Sequence, residues 1–330
     1  MKNSVKKILA VIMAIALITV AFAACGNTGT ETTTAAGDST DKVYTVGICQ
    51  LVQHDALDAA TEGFKKALTE KLGDNVKFDE QNASNEATNC TTICGTFVSN
   101  KVDLIMANAT LALAAAATAT ADIPIVGTSV TDFATALDMD DWNGATGINV
   151  TGTADLAPLD EQAKMIKELC PDAKTVGILY CSAEANSKYQ SDVITADLKE
   201  LGFDVKEYTF TDSNDIASVT TTAAENCDVL FAPTDNTVAN NAEAIANVLE
   251  PAGVPLVAGE SGICKGCGIA TLSISYFDIG YKAGEMAYDI LVNGKDPATM
   301  KIEYAANPVK MYMADRCTAL NITVPETYEA

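Results

Sequence analysis

Three short stretches of this 330-residue chain recur in the same order about 130 residues later. TVGI at 45–48 returns at 175–178, VDLI at 102–105 returns as CDVL at 227–230, and IPIV at 123–126 returns as VPLV at 254–257. Self-similarity in a fixed order is the signature of repeated structural units. The repeat therefore predicts two structurally similar halves.

Each half alternates short apolar runs with longer amphipathic segments, which is typical of parallel sheets covered by helices on both faces. The expected strands are 44–49, 76–80, 104–107, 125–127 and 146–149 in the first half, and 175–180, 204–209, 229–232, 256–258 and 269–273 in the second. The expected helices are 57–71, 85–99, 107–121, 156–169, 187–201, 215–225 and 239–252. A helix at 277–292 and a strand at 310–313 suggest that the chain crosses back between the halves before it ends. The predicted fold class is α/β, with two Rossmann-like lobes of parallel sheet and a cleft between them.

The first 24 residues combine lysines with an apolar run and are typical of a secretory signal. FAAC at 22–25 resembles a bacterial lipobox with phenylalanine where leucine is usual; in such a box the cysteine, here Cys25, is acylated. The Thr-, Gly-, Ala- and Ser-rich segment that follows predicts a flexible tether. We expect an extracytoplasmic protein anchored to the cell membrane through Cys25. A plain signal peptide or a single membrane span is the alternative.

Charge and length limit the possible partners and the domain organisation. The net charge of −23 disfavours binding to nucleic acid or to anionic lipid surfaces. The chain after the tether is too long for one compact core and suits two lobes. The expected division is a signal at 1–24, a lipidated cysteine and linker at 25–42, an N-terminal lobe at 43–151 plus about 276–306, and a C-terminal lobe at 152–275 plus about 307–330.

The cysteines are the first candidates for a metal site. CKGC at 264–267 has the spacing of a zinc knuckle or redox pair, and Cys90 and Cys94 are one helical turn apart. The two pairs lie in opposite halves, and nine cysteines after Cys25 leave at least one thiol unpaired. We therefore expect no metal and no cofactor, with structural zinc or a Cys264–Cys267 disulfide as alternatives.

The usual motifs of catalysis are missing from the sequence. It contains no G-x-S-x-G elbow, no G-x-x-x-x-G-K-[ST] loop and no G-x-G-x-x-G after a strand. The single histidine, His54, follows the first expected strand and is interpreted as a loop hydrogen-bonder or a neighbour of a ligand. The chain is therefore predicted not to be an enzyme.

Polar residues follow the expected strands at equivalent places in the two halves. They are Gln50, Asn108, Thr110, Ser129, Glu184, Asn186, Ser187, Thr234, Asp235, Asn236 and Glu260. Open α/β sheets bind ligands outside the carboxyl ends of their strands. Each residue alone could be a helix cap or a turn former, but together they predict a polar ligand cleft.

Several stretches match a known family. They are QLVQHDALDAATEGFKKAL from 50, NKVDLIMANAT from 100, EANS at 184–187, PTDNTV at 233–238 and SYFDIGYKAGEMAYDIL from 275. Through them the chain resembles, from 43 to 325, the ABC-transporter substrate-binding proteins of the type I periplasmic-binding fold, in the branch associated with tryptophan and tyrosine uptake. It departs from that family at Leu111, where proline is usual, and in its Cys264–Cys267 pair.

The resemblance implies a Venus-flytrap protein that closes on a small ligand by hinge motion and delivers it to an ABC permease and its ATPase. For an amino-acid ligand, including an aromatic one, Asp235 or Glu184 would pair with the ammonium. Helix starts near 186–187 and Thr110 would receive the ligand carboxylate, and Tyr276 would form an aromatic wall. We expect a monomer that contacts the membrane only through its lipid. The alternatives are a sensory receptor of the same fold, a sugar or purine-nucleoside binder, and a zinc-dependent hydrolase.

Overall fold

The computed structural model describes residues 42–306 and 308–330, and the strands of that part form two six-stranded sheets. In chain order the strands are β1 (Tyr44–Gln50), β2 (Val76–Asn82), β3 (Leu104–Asn108), β4 (Ile125–Val130), β5 (Val150–Ala154), β6 (Thr175–Cys181), β7 (Asp204–Phe210), β8 (Val229–Ala232), β9 (Leu256–Ala258), β10 (Ala270–Ser273), β11 (Glu303–Tyr304) and β12 (Val309–Tyr312). The α-helices are α1 (Asp55–Leu72), α2 (Ala87–Asn100), α3 (Thr110–Ala119), α4 (Phe133–Ala136), α5 (Leu159–Leu169), α6 (Ala185–Glu200), α7 (Ile216–Asn226), α8 (Asn236–Asn240), α9 (Ala242–Ala252), α10 (Ser261–Cys267), α11 (Tyr276–Leu291) and α12 (Ala314–Ala319). The expected signal segment, Cys25 and the linker up to residue 41 lie outside the described residues.

The two sheets have equivalent strand orders and differ in the direction of one edge strand. Sheet 1 has the strand order β11-β5-β4-β3-β1-β2, and sheet 2 has the order β12-β10-β9-β8-β6-β7. The strands of sheet 1 pair in parallel, and in sheet 2 the last pair, β10 with β12, is antiparallel. The prediction of two parallel-sheet lobes of α/β class is confirmed.

Apolar strands explain why each sheet is buried on both faces. Strand β3, with the sequence LIMAN, is buried along its whole length, as is β8, with the sequence VLFA. Hydrophobic clusters pack on the two faces of sheet 1, and two further clusters pack on the two faces of sheet 2. The carboxyl ends of the strands are therefore the places where polar side chains can gather.

The chain passes between the sheets after β5, after β10 and after β11. We call the elements around sheet 1 the first lobe, those around sheet 2 the second lobe, and the connecting stretches the crossings. The expected boundary between 151 and 152 falls inside β5, all of which pairs with sheet 1.

Most element bounds agree with the expected ones, and β8 and β9 begin and end where expected. Strand β5 was placed four residues too early, at 146–149. Those residues form a turn instead, because Gly147 has a φ of +69° and the Thr146 hydroxyl donates to the Val150 carbonyl at 2.5 Å. The expected helix 239–252 is divided into α8 and α9, and β11, α4, α10 and α12 were not expected.

Helices α1 and α11 of the first lobe pack backbone against backbone. A Cβ placed on Gly280 would lie 2.0 Å from the carbonyl oxygen of Ala60, and one on Gly63 would lie 2.1 Å from that of Phe277. Glycine at these places is required by the close approach of the two helices. Since α11 begins at a crossing, this contact fixes the second crossing to the first lobe.

Replacing Gly280 by alanine should lower the free energy of unfolding by at least about 2 kcal/mol, because the two helices must separate to admit the methyl group. Urea unfolding followed by circular dichroism measures this. Gly95→Ala is the matched control: a Cβ there meets nothing within 4 Å, and alanine in the interior of α2 should stabilise by about 0.5–1 kcal/mol. Equal losses in both variants would contradict the proposed packing.

Candidate functional site

A small cavity lies between the two lobes at the carboxyl ends of the strands. Its volume is about 10 Å³, and it is lined by His54, Leu57, Ser129, Thr131, Asp155, Asn186, Thr234, Asp235, Asn236, Ala239, Glu260 and Tyr276. Ligand pockets commonly have volumes of about 300–1,000 Å³. The lobes must therefore separate before a ligand can enter.

Two hydrogen bonds join the lobes beside the cavity. The His54 ring nitrogen Nε2 lies 3.3 Å from Oδ1 of Asn236, and the Asn85 amide donates to the Thr237 hydroxyl at 2.9 Å. His54 and Asn85 belong to the first lobe, and both of their partners lie in the first turn of α8. The structure therefore represents a closed arrangement of the lobes.

Asp155 is the carboxylate that lies on a crossing. It follows β5, is buried, and accepts hydrogen bonds from the Thr131 hydroxyl at 3.1 Å and the Tyr276 hydroxyl at 3.0 Å. Burial raises the pKa of Asp155 to about 6, and the two hydroxyl donors oppose that rise. Among the described residues that line the cavity, none is a lysine or an arginine. Asp155 is thus a buried carboxylate without a cation beside it.

Glu184 is not available as the ammonium partner that the sequence suggested. Its carboxylate accepts from the backbone N–H groups of Asn236, at 3.0 Å, and Thr237, at 2.8 Å, and from both of their side chains. It therefore holds the first turn of α8 and is outside the cavity lining.

Asp235 lines the cavity, but its oxygens are directed into the second lobe. Oδ2 accepts from the Cys181 N–H and the Ser187 hydroxyl, both at 2.7 Å, and Oδ1 accepts from the Val238 N–H at 2.8 Å. Burial, together with the nearby Glu184, raises the pKa of Asp235 well above its usual value. The expectation that Asp235 offers a free carboxylate to the cleft is not met, because the residue caps α8.

Glu260 has a similar capping role at α10. Its carboxylate accepts from the Gly262 N–H at 2.6 Å and from the Ile263 N–H. Burial raises the pKa of Glu260, and the neighbouring His54 opposes that rise. Since carboxylates already occupy the starts of α8 and α10, those helix N-termini cannot receive a ligand carboxylate.

Several other expected site residues are turned away from the cavity. The Gln50 and Asn108 side chains bond to α1, where Thr61 donates to Gln50 at 2.6 Å and accepts from Asn108 at 2.9 Å. Ser187 is used by Asp235, and Thr110 is buried at the start of α3. Of the expected residues, the cavity lining contains Ser129, Asn186, Thr234, Asp235, Asn236, Glu260 and Tyr276.

Three polar atoms of cavity-lining residues are buried without a hydrogen-bond partner in the protein. They are Nδ1 of His54, Oγ of Ser129 and Oδ1 of Asn186. Ser129 also has a φ of +54°, which costs energy in a non-glycine residue and is common at ligand sites. Buried polar atoms are normally paired, so these three are available to a ligand.

Sequence reasoning missed Asp155 and Thr131, which together with Tyr276 form a hydrogen-bonded group in the lining. The predicted strands end at 127 and 149, whereas β4 extends to Val130 and β5 extends to residue 154. Thr131 and Asp155 are the residues that directly follow these two ends. The rule of polar residues at strand ends would have found both with the correct strand bounds.

A larger groove of about 500 Å³ lies along α1, lined by Gln50, Asp58, Thr61 and exposed charged residues. It is on the outside of the first lobe, where Lys65 pairs with Glu80. We place the site in the smaller cavity, because only there do both lobes contribute buried polar groups.

The cysteines beyond the tether carry free thiols, and Cys264 and Cys267 lie buried on α10. Cys90 and Cys94 lie in the other lobe. In the described part of the chain no group of His, Cys, Asp and Glu side chains is suited to hold a metal ion.

Two α/β lobes with a polar cavity between them and three crossings define a ligand-binding protein of the type I periplasmic-binding fold. A family model described as ABC transporter substrate binding protein matches residues 45–329. The chain belongs to this family, whose members are extracytoplasmic solute-binding proteins and not enzymes. No helix among the described residues is long and apolar enough to cross a membrane.

Relatives with known ligands are similar over most of the chain. A tyrosine-binding protein from Clostridioides difficile is 36% identical over 291 residues, which cover 87% of this chain and 84% of the relative. A Streptococcus pneumoniae ABC domain solved in complex with L-Trp is 30% identical, covers 86% of this chain and 97% of its own, and has a TM-score of 0.83.

A third comparison bears on the arrangement of the lobes. The ligand-free, open structure of a substrate-binding protein with adhesive properties from Clostridium difficile is 36% identical, covers 87% of this chain and 98% of its own, and has a TM-score of 0.67. The better superposition is thus with the L-Trp complex, despite its lower identity. This agrees with the closed arrangement that the contacts of His54 and Asn85 indicate.

Replacing Asp235 by asparagine should lower the free energy of unfolding by about 1–3 kcal/mol, because an amide NH₂ would face a backbone N–H on one side. Thermal and urea unfolding measure this. Asp132→Asn is the control, since Asp132 caps α4 through a solvent-exposed hydrogen bond from the Thr135 N–H at 2.7 Å, a role that asparagine fills equally well. Unchanged stability of the Asp235 variant would show that its carboxylate does not hold α8.

Proposed function

We propose that this protein binds an aromatic L-amino acid, tyrosine or tryptophan, between its lobes and delivers it to an ABC permease for import. The observation that carries the proposal is Asp155, a buried carboxylate in a cavity whose described lining has no lysine or arginine. The ligands in the names of the Clostridioides difficile relative and the Streptococcus pneumoniae structure support the same class of ligand.

The ligand ammonium pairs with Asp155. A buried carboxylate with a raised pKa gains most from a cation, because the ion pair compensates for the loss of hydration. The Thr131 and Tyr276 hydroxyls hold the carboxylate in position and leave lone pairs for the ammonium. Asp155 thus takes the role that the sequence suggested for Asp235 or Glu184.

The ligand carboxylate is received by neutral donors of the first lobe. Ser129 supplies a buried hydroxyl without a protein partner. It lies beside the start of α3, because the Ala109 N–H donates to the Thr128 carbonyl at 3.0 Å. The first N–H groups of a helix have no partners within it, so α3 can contribute there, beginning at Thr110. Tyr276, Leu57 and the His54 ring are the surfaces in the lining that can contact an aromatic side chain.

The membrane and transport parts of the proposal rest on the sequence and the family. The segment 1–24 is a signal, Cys25 is the lipidated residue, and the linker up to about 42 is the tether. The protein acts as a monomer outside the cytoplasmic membrane, with the permease and its ATPase as partners, and it needs no cofactor.

Ligand affinity should fall about tenfold for each pH unit below about 6, because protons then compete with the ammonium for Asp155. Asp155→Asn should weaken L-tyrosine and L-tryptophan binding by about 30-fold or more and remove this pH dependence. Isothermal titration calorimetry between pH 7.5 and 4.5 measures both. Asp160→Asn, an exposed carboxylate on α5, should leave both unchanged. Full affinity in the Asp155 variant would exclude Asp155 as the ammonium partner.

The raised pKa of Asp155 also predicts how the stability of the ligand-free protein changes with pH. Between the usual Asp pKa of 3.8 and about 6, the unfolded chain has released the proton that folded Asp155 retains. The ligand-free protein therefore loses stability as pH rises through this window, by an amount on the order of 3 kcal/mol. Asp155→Asn should consequently raise the unfolding midpoint at pH 7 in the absence of ligand. A lower midpoint in the variant would contradict the raised pKa.

Cys25→Ser should prevent lipidation, so that the protein is found in the medium or remains unprocessed. Fractionation of cells and medium, with immunoblotting for the processed form, measures this. A correctly cleaved Cys25 variant that still sediments with membranes would refute the lipid anchor.

A further inference from the structure

Glu184 fixes the orientation of the Asn236 amide. Backbone N–H groups donate to both of its oxygens, from Thr237 to Oε1 at 2.8 Å and from Asn236 to Oε2 at 3.0 Å. Each oxygen is therefore an acceptor. The Asn236 side chain meets Oε2 at 2.7 Å, so the atom placed there must be the NH₂ group.

The orientation of Asn236 in turn fixes the tautomer of His54. With its NH₂ group on Glu184, Asn236 turns its carbonyl oxygen Oδ1 to Nε2 of His54, at 3.3 Å. An amide oxygen only accepts, so Nε2 must carry the proton. In the neutral ring Nδ1 is then an acceptor, and this is the buried, unpartnered atom of a cavity-lining residue.

Asn186 is oriented in the same way. Its NH₂ group lies 3.3 Å from Oε2 of Glu184 and 3.0 Å from the Thr234 carbonyl oxygen. Its Oδ1 is therefore an acceptor, and it too is buried without a partner. Glu184, together with the Thr234 carbonyl in the case of Asn186, thus orients two side chains of the lining. Oδ1 of Asn186 and, in the neutral ring, Nδ1 of His54 are left as hydrogen-bond acceptors.

We infer that His54 determines specificity by accepting, at Nδ1, a hydrogen bond from a neutral donor on the ligand's side chain. The donor is the phenol hydroxyl of tyrosine or the indole N–H of tryptophan. Asn236 and Glu184 are positioning residues that act through the imidazole. The identity of the ligand class rests on the proposed function; the direction of the hydrogen bond rests on the chain Glu184–Asn236–His54.

The ligand's ammonium does not compete for this position. A charged ammonium gains more from the Asp155 carboxylate than from a neutral ring nitrogen. The side chain of the ligand then remains to pair with Nδ1. A ligand without a side-chain donor would leave this buried acceptor unpaired, and sites of this kind reject such analogues strongly.

The selection operates only when the lobes are closed. His54 follows β1 of the first lobe, whereas Asn236 and Glu184 belong to the second lobe. Opening the cleft separates the imidazole from the amide that sets its tautomer. A ligand whose side chain has no hydrogen-bond donor can therefore enter the open cleft, but it does not stabilise the closed arrangement of the lobes.

Paired ligands that differ in one donor test the inference. By calorimetry at constant pH, the protein should bind L-tyrosine at least about tenfold more tightly than L-phenylalanine. It should show the same preference for L-tryptophan over L-3-benzothienylalanine, in which sulfur replaces the indole N–H. His54→Phe keeps the bulk of the ring and should reduce both ratios to about one. Gln53→Ala, at the exposed neighbouring position, should keep them.

A spectroscopic measurement tests the positioning residues separately. His54 is the single histidine of the chain, so a ¹⁵N-histidine-labelled sample reports one imidazole. With ligand bound, the neutral ring should show a protonated Nε2 and an unprotonated Nδ1. Glu184→Gln or Asn236→Leu should shift the populations of the two tautomers, a change that loss of stability alone does not produce.

The possible outcomes separate this inference from the proposed function. Equal affinity for tyrosine and phenylalanine, or ratios that survive in His54→Phe, would overturn the role of His54 and leave the aromatic amino-acid proposal intact. A protonated Nδ1 in the bound state would overturn the acceptor chain. Failure of all four ligands to bind would remove the proposed function, and the specificity inference with it.

Discussion

The hydrogen bonds between Glu184 and the first turn of α8 are the interaction on which the closed structure most depends. Both hydrogen bonds that join the lobes beside the cavity, from His54 and from Asn85, reach that turn. The Glu184 carboxylate accepts hydrogen bonds from the backbone N–H groups of Asn236 and Thr237 and from both of their side chains. Asp235 also caps α8, whereas Glu184 bonds to the side chains of Asn236 and Thr237 and so orients the groups that meet the first lobe.

The buried carboxylates near the cleft separate into two roles according to their donors. Glu184, Asp235 and Glu260 accept from backbone N–H groups at helix starts, and for Asp235 and Glu260 these donors oppose the rise in pKa that burial causes. Asp155 belongs to no helix start and accepts from two hydroxyl groups, and burial raises its pKa to about 6. Glu184, Asp235 and Glu260 therefore stabilise helix starts in the second lobe. Asp155 is the carboxylate that a cation of the ligand can neutralise.

The fold could be predicted from the sequence for two reasons. The apolar strands are local signals, and the repeat indicates that both halves have the same plan. Strand β8 and the residues after it were placed correctly, and Asp235 does lie at the cavity. The sequence could not show that its carboxylate bonds to the N–H groups of Cys181 and Val238, since that depends on how α8 returns towards β6.

Asp155 was missed for a traceable reason. The Thr- and Gly-rich sequence of β5 carries little strand signal, and the turn at 146–149 was taken for the strand in its place. A shift of four residues moved the strand end, and with it the search for polar residues, away from position 155. The tautomer of His54 lay beyond any sequence rule, because it depends on an amide from the opposite lobe.

The bond between Tyr276 and Asp155 links two of the three crossings, and this has a kinetic consequence. Tyr276 begins the helix after the second crossing, and Asp155 lies on the first. A ligand cation that binds Asp155 therefore joins the hydrogen bond that links the two crossings. Opening of the lobes must break or distort these bonds before the ligand can leave. We expect good and poor ligands to differ mainly in residence time, while their association rates stay similar. A transporter supplied by such a protein would depend on the permease to force the hinge open.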